Sequence, residues 1–233
     1  MRRSLVRLVA GVAFCIAFHG HAASATTAGP TRAEFAIRWN ARDGGPKTGA
    51  ATLAVLNLRA QRTRHFKVDY FALPSAATVP QDFSTILRRR VGDDARAELT
   101  WKLRGDRALA QWTCPLHKPR QTKAEVDITF GGGDSVARTY SYSCTSEETN
   151  IAAHNLSANN KGCTAEVSRW EAGRLKIEEW GLPGDVLIIE VSGGGTDTPG
   201  AIEHFRRHVA APLFAAGIVP SKQSKTEFGT RCE

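Results

Sequence analysis

The segments Ile86-Leu87-Arg88-Arg89-Arg90-Val91 and Glu98-Leu99-Thr100-Trp101-Lys102-Leu103-Arg104, joined through Gly92-Asp93-Asp94, decide how this chain folds. In the second segment Leu99, Trp101 and Leu103 alternate with Thr100, Lys102 and Arg104. Alternation with period two places successive side chains on opposite faces, which is the pattern of a strand. A short Gly/Asp break between two such runs predicts a hairpin. The same pattern spreads outward in both directions. Phe35, Ile37 and Trp39 alternate with Glu34, Ala36 and Arg38, and Phe66, Val68 and Tyr70 share one face of a strand over 64–71. Lys123, Glu125 and Asp127 alternate with Ala124, Val126, Ile128 and Phe130, and Gly131-Gly132-Gly133-Asp134 turns that run into Val136–Cys144. Further strands are predicted over 163–170, 174–179 and 186–192, while Leu53–Leu58 has no clear period and reads as either helix or strand. One helix is predicted near the C-terminus, capped by Thr198 with Pro199 in its first turn and Gly217 beyond its end. Ile202, Phe205, Val209 and Leu213 form its apolar face, and Pro212 is expected to kink it. The expectation is a mainly β (α+β) domain, antiparallel, with one or two covering helices.

The chain has 233 residues, of which 42% are hydrophobic and 23% charged. That balance excludes disordered, collagen-like and multi-pass membrane classes. Arg2, Arg3 and Arg7 precede an apolar stretch from Leu8 to Phe18, and Ala23-Ser24-Ala25 supplies small residues for cleavage, so residues 1–25 read as an export signal. The remainder, 26–233, is read as a single domain that is periplasmic or secreted, with no membrane association after cleavage. It carries 28 Lys and Arg against 23 Asp and Glu, a moderately basic balance. It also retains Cys114, Cys144, Cys163 and Cys232, an even number, and no pair has the close spacing of a zinc site. Two disulfides are therefore expected. In a meandering strand order Cys114 and Cys144 flank one hairpin, which predicts Cys114–Cys144 and Cys163–Cys232.

Charge is ordered along the strands. Arg88 and Arg90, then Lys102 and Arg104, then Lys123, Glu125 and Asp127 occupy the polar faces of successive runs. An open sheet with a solvated charged face accounts for this, and so does a sheet curled around a polar lumen. A lumen lined by cations would take a compact polyanion. Glu125 and Asp127 are of the right type to hold a hard divalent ion against it. In the closed case Trp101, Val126 and Ile128 pack outward beneath helices or loops.

At these residues the sequence resembles the CYTH or triphosphate tunnel metalloenzyme superfamily, which includes class IV adenylate cyclases, thiamine triphosphatases and inorganic triphosphatases. Ile86–Arg90 with Glu98–Arg104 carries the resemblance. Tyr70-Phe71, Lys123–Asp127, Glu190-Val191-Ser192 and Ser224-Lys225 extend it in order, over roughly residues 33–226. The resemblance implies a closed antiparallel β-barrel, or tunnel, whose lumen holds a triphosphate with Mg or Mn. It implies phosphate contacts at Arg38, Arg88, Arg90, Lys102, Arg104, Lys123, Arg169 and Lys225. The acidic ligands it implies are Glu34, Glu125, Asp127 and Glu190. The chain departs from the pattern in one direction. The first-strand Glu-x-Glu-x-Lys reads Glu34-Phe35-Ala36-Ile37-Arg38, the later Lys-x-Arg reads Val167-Ser168-Arg169, the later Glu-x-Glu reads Ile188-Ile189-Glu190, and the aspartate after Tyr-Phe is Ala72. Cations are kept while carboxylates are thinned, which weakens metal affinity and water activation.

Two functions follow as expectations. One is an exported barrel that binds a phosphate-rich small polyanion with catalysis weak or lost, its catalytic residues unknown. The other is a divalent-metal-dependent triphosphate or polyphosphate phosphohydrolase. Other motifs point elsewhere only weakly. His204 and His208 lack the Glu of a metalloprotease helix and read as a surface pair. Gly193-Gly194-Gly195 has no Gly-Lys-Ser/Thr after it and reads as a flexible connection into the helix. Ser141, Ser143 and Ser168 lack a nucleophile-elbow setting. No nucleic-acid partner is expected, because the cations alternate within strands instead of clustering on a helix beside stacking aromatics.

Overall fold

A computed structural model describes residues 31–71, 79–147, 161–225 and 227. The expected export segment 1–25, Ala72, Thr226 and Cys232 lie outside the described residues. Nine strands close into one barrel: β1 (Arg32–Asn40), β2 (Arg62–Phe71), β3 (Phe83–Gly92), β4 (Ala97–Gly105), β5 (Gln121–Phe130), β6 (Val136–Glu147), β7 (Lys161–Ala172), β8 (Leu175–Leu182) and β9 (Val186–Thr196). Around the barrel the order is β1-β5-β6-β4-β3-β2-β7-β8-β9, with β9 returning to β1. Closure removes sheet edges, so no strand is left as a template for pairing with another chain.

The expected meander is corrected in three pairings: β1 pairs with β5, β4 with β6 and β2 with β7, in place of β1 with β2, β4 with β5 and β6 with β7. β1 pairs with β5 in parallel, Glu34 opposite Asp127, while every other neighbour is antiparallel. The β3–β4 hairpin is as expected, with Arg88 opposite Thr100 and Arg90 opposite Glu98. Gly193–Gly195, expected as a flexible connection, are ladder residues of β9 opposite Phe35, Glu34 and Ala33. Packing demands glycine there: a Cβ on Gly195 would lie 2.6 Å from Cε2 of Phe35, and one on Gly193 would lie 2.9 Å from Cδ2 of Leu175. Gly193 and Gly195 are therefore close approaches within a strand, and the triplet is not a linker.

Leu53–Leu58 resolves into the end of a short helix, α1 (Gly49–Val55), and the turn after it. The Ala51 amide donates to Oγ1 of Thr48 at its N-cap. The predicted C-terminal helix has three parts: α2 (Pro199–Phe205), a π turn over Arg206–Ala210, and α3 (Ala211–Ala215). A proline ring clashes with the carbonyl four residues back, here that of His208, and the widened turn just before Pro212 accommodates it. Ile202, Phe205, Val209 and Leu213 pack on the outward side chains of β1, β5 and β9, among them Phe35, Ile37, Ile128 and Val191. Phe205 lies 4.9 Å from Phe130 and 5.5 Å from Phe35 between ring centroids.

Trp101, Val126 and Ile128 face outward as expected. Trp101 packs with Phe71, Leu87, Leu99 and Leu116, and the disulfide Cys114–Cys144 fastens the segment after β4 to β6. Cys163 is also disulfide-bonded. Among the described residues no helix is long and apolar enough to cross a membrane.

Candidate functional site

The barrel interior has two chemistries. Val68 and Tyr70 of β2, Ile86 of β3, Ala165 and Val167 of β7, Trp180 of β8 and Ile188 of β9 fill one region with apolar side chains. The remaining interior is a charged lumen of about 430 Å³. Its wall carries the eight cations expected from the sequence, Arg38, Arg88, Arg90, Lys102, Arg104, Lys123, Arg169 and Lys225. The expected acids Glu34, Glu125, Asp127 and Glu190 also line it. The sheet is thus closed around its charged face, and the open-sheet alternative is set aside.

The charges form three groups. In the first, Glu34 of β1 and Glu125 and Asp127 of β5 converge, each offering one carboxylate oxygen within 4.8 Å of the others. Parallel pairing of β1 with β5 makes this possible, because it puts Glu34 beside Asp127 in register. Across from them, Lys102 Nζ lies 3.1 Å and Arg104 Nε 2.8 Å from Oδ2 of Asp127, with Lys102 3.9 Å from Glu125. Burial alone would raise the Asp127 carboxyl, but Lys102 and Arg104 hold it below the usual carboxylate range. Burial and the neighbouring Glu34 raise Glu125 instead. Burial, with Arg104 beside it, lowers the Lys102 ammonium against the pull of Asp127. Ala36 and Gly194 leave this wall low, and nothing lies within 4 Å of where a Cβ on Gly194 would sit.

The second group lies on β1, β7, β8 and β9. Arg38 Nε donates to Glu190 at 2.8 Å, and Lys225 Nζ reaches Glu190 at 2.6 Å and also Glu178. Arg169 Nε donates to Glu178 at 2.7 Å, and Trp180 Nε1 donates to its other oxygen at 3.1 Å. Burial would raise both carboxyls, but Lys225 with Arg169 holds Glu178 well below the usual range, and Lys225 with Arg38 holds Glu190 low. Glu190, expected among the metal ligands, is instead paired with Arg38 and Lys225 and is not one of the three converging acids. Glu178 was missed in the sequence. Glu98, Arg32 and Lys176 also line the lumen unannounced.

The third group is cationic. Arg88 and Arg90 of β3 have no carboxylate within salt-bridge distance among the described residues. Arg90 Nε is buried without a hydrogen-bond partner, and its guanidinium stacks 5.0 Å from the Phe66 ring centroid. Arg169 takes another position over Phe66 at 4.9 Å. Burial, then Arg88 and Arg169, push Arg90 down to about 9. A guanidinium keeps its proton in proteins, so that pressure is felt as a cost of holding the charge. Tyr70 packs beside them with its hydroxyl unpartnered, and burial pushes its phenol up to about 12 despite Arg88 and Arg90. In all, ten cations and six acids line the lumen. The excess is positive and concentrated on β3.

No family model matches the chain, and no curated protein matches it in sequence. Among solved structures, a "putative adenylate cyclase" from Vibrio parahaemolyticus is similar at 14% identity and TM-score 0.48, covering 86% of this chain and 98% of that one. A conserved hypothetical protein from Pyrococcus furiosus is similar at 14% identity and TM-score 0.46, covering 84% and 99%. A "putative adenylyl cyclase" from Hippeastrum, described as having a dominant triphosphatase activity, is similar at 12% identity and TM-score 0.44, covering 84% and 93%.

Proposed function

We propose that this chain is an exported barrel protein whose lumen binds a compact phosphate polyanion, with turnover weak or lost. The observation that carries the reading is the pair Arg88 and Arg90, half-buried lumen cations with no carboxylate of the described residues within salt-bridge distance, Arg90 Nε being buried without a hydrogen-bond partner. Holding cations out of water without partners is costly, and such an arrangement persists where a ligand supplies the counter-charge. Phosphate oxygens suit the fork of a guanidinium, which donates two parallel hydrogen bonds. The disulfide Cys114–Cys144 is compatible with an oxidising compartment, and the leader-like residues 1–25 support export.

The second reading is a metal-dependent phosphohydrolase, favoured by the convergence of Glu34, Glu125 and Asp127. These three hard oxygen donors fit Mg or Mn in type and spacing. When bound by Glu34, Glu125 and Asp127, such an ion would offset the charge of a phosphate ligand. The residues themselves argue for weak turnover. Asp127 is already committed to Lys102 and Arg104, and the position two residues after Glu34 is Ala36. Glu125 is held toward its protonated form, so ion binding should fade at a higher pH than an ordinary carboxylate site would lose it.

The test compares two readouts on tripolyphosphate with Mg or Mn present: phosphate release, and thermal stabilisation of the protein. Strong stabilisation with little release supports the binding reading. Multiple turnovers abolished by Glu125→Gln would establish the enzyme instead, and neither effect would refute both.

A further inference from the structure

Outside the lumen, the covering helix carries a second arrangement of ligand-type side chains. His204 lies in the last turn of α2, and His208 lies in the π turn that follows. Both are exposed, and their ring centroids are 4.5 Å apart. In a regular α-helix, residues four apart are offset by about 40° around the axis, because each residue turns about 100°. Here the Ala211 amide bonds to the Arg206 carbonyl, five residues back, so the turn holds more residues and that offset closes. The widened turn ahead of Pro212 contains His208, and the two imidazoles lie side by side, tilted by 47°. Gly200 and Ala211, both exposed, flank the pair along the helix, so no bulky side chain on that stripe covers the outer side. Nearby, Glu203 is engaged by Arg206 and Arg207 at 3.2 and 3.3 Å.

We propose that His204 and His208 form a two-imidazole site on the protein surface for a borderline divalent transition cation such as Cu(II), Ni(II) or Zn(II). Imidazole nitrogen prefers these ions, whereas the oxygen donors of the lumen prefer Mg or Mn. Two protein ligands leave the remaining coordination positions to water, and the exposed surface provides room for it. Affinity should follow the usual order, with Cu(II) above Ni(II) and Zn(II). A cation held there also ties the last turn of α2 to the middle of the π turn, coupling the site to the helix that covers the Phe35–Phe130–Phe205 cluster.

The experiment is titration of the full chain with Cu(II), read by calorimetry and by nitrogen hyperfine structure in electron paramagnetic resonance. Loss of even an outer partner of a metal site typically weakens binding about 10–100-fold, so His204→Ala and His208→Ala should each weaken it by at least about tenfold. Both should remove one nitrogen from the spectrum. Glu125→Gln should leave this binding unchanged, because the lumen is a separate site. Wild-type affinity in both histidine variants, or loss of the Cu(II) site in Glu125→Gln, would overturn the proposal.

Discussion

Replacing Arg90 with Met should separate stability from binding, because the two respond in opposite directions. Arg90 is half-buried, its buried Nε has no hydrogen-bond partner, and its positive neighbours Arg88 and Arg169 oppose it. Removing a buried polar group that lacks its hydrogen bond recovers roughly 1–3 kcal/mol. The stacking on Phe66 at 5.0 Å is lost, at a cost of about 0.5–2 kcal/mol. The methionine side chain keeps most of the apolar stem in place. The free protein should therefore lose no more than about 1 kcal/mol and gain up to about 2.5 kcal/mol of stability. Binding should move the other way. A charge-assisted hydrogen bond to phosphate contributes about 1.5–3 kcal/mol, so tripolyphosphate affinity should fall roughly ten- to a hundredfold. Urea unfolding gives the first quantity and calorimetric titration the second. An Arg90→Met protein that unfolds more readily by over about 1 kcal/mol while binding tripolyphosphate as wild type does would refute the reasoning. Arg90 would then be a structural cation.

Lys102→Ala should behave differently, destabilising the free protein by roughly 1–3 kcal/mol, because it strips one of the two cations that neutralise buried Asp127; denaturant midpoints compared with Arg90→Met check this. Acid should also destabilise the fold. Asp127, Glu178 and Glu190 are held below the usual carboxylate range, so their contribution is full above about pH 4.5 and is lost as pH falls through their lowered values, with Glu125 contributing in the opposite sense. Unfolding free energies that stay level from pH 5 to pH 2.5 would contradict this. Opening the Cys114–Cys144 bridge, which closes 30 residues, should cost about 3–4 kcal/mol, measurable by substituting both cysteines with alanine.

Which parts of this molecule can be read from its residues depends on how many faces of a strand are covered. β4 and β5 are legible because large apolar side chains alternate with charge, Trp101 and Ile128 outward against Lys102 and Asp127 inward. β8 is not. Ile177 packs in the outer core and Trp180 in the apolar region of the interior, so both faces carry bulk. Adjacent Glu178 and Glu179 further blur the period, and Glu178 was passed over although it holds three lumen or wall partners, Arg169, Lys225 and Trp180. Closure is invisible for another reason. Alternation is the same in an open sheet and in a barrel, and the contact that decides it joins β1 to β5 in parallel across three intervening strands. The Gly193–Gly195 triplet reads locally as a linker, and only the ring of Phe35 and the side chain of Leu175 make it a strand. Within the site, the resemblance supplied the cations residue by residue. It could not reveal that Lys225 binds Glu190 and Glu178 together, while Arg88 and Arg90 stand without a carboxylate in salt-bridge distance among the described residues.

The most direct measurement is a crystal structure grown with tripolyphosphate and Mn(II), with the metal located by anomalous scattering. The account expects phosphate oxygens within hydrogen-bonding distance of the Arg88 and Arg90 guanidinium groups, and any lumen manganese at Glu34, Glu125 and Asp127. A lumen that holds only water at saturating tripolyphosphate, with Arg88 and Arg90 still unpaired, would contradict it.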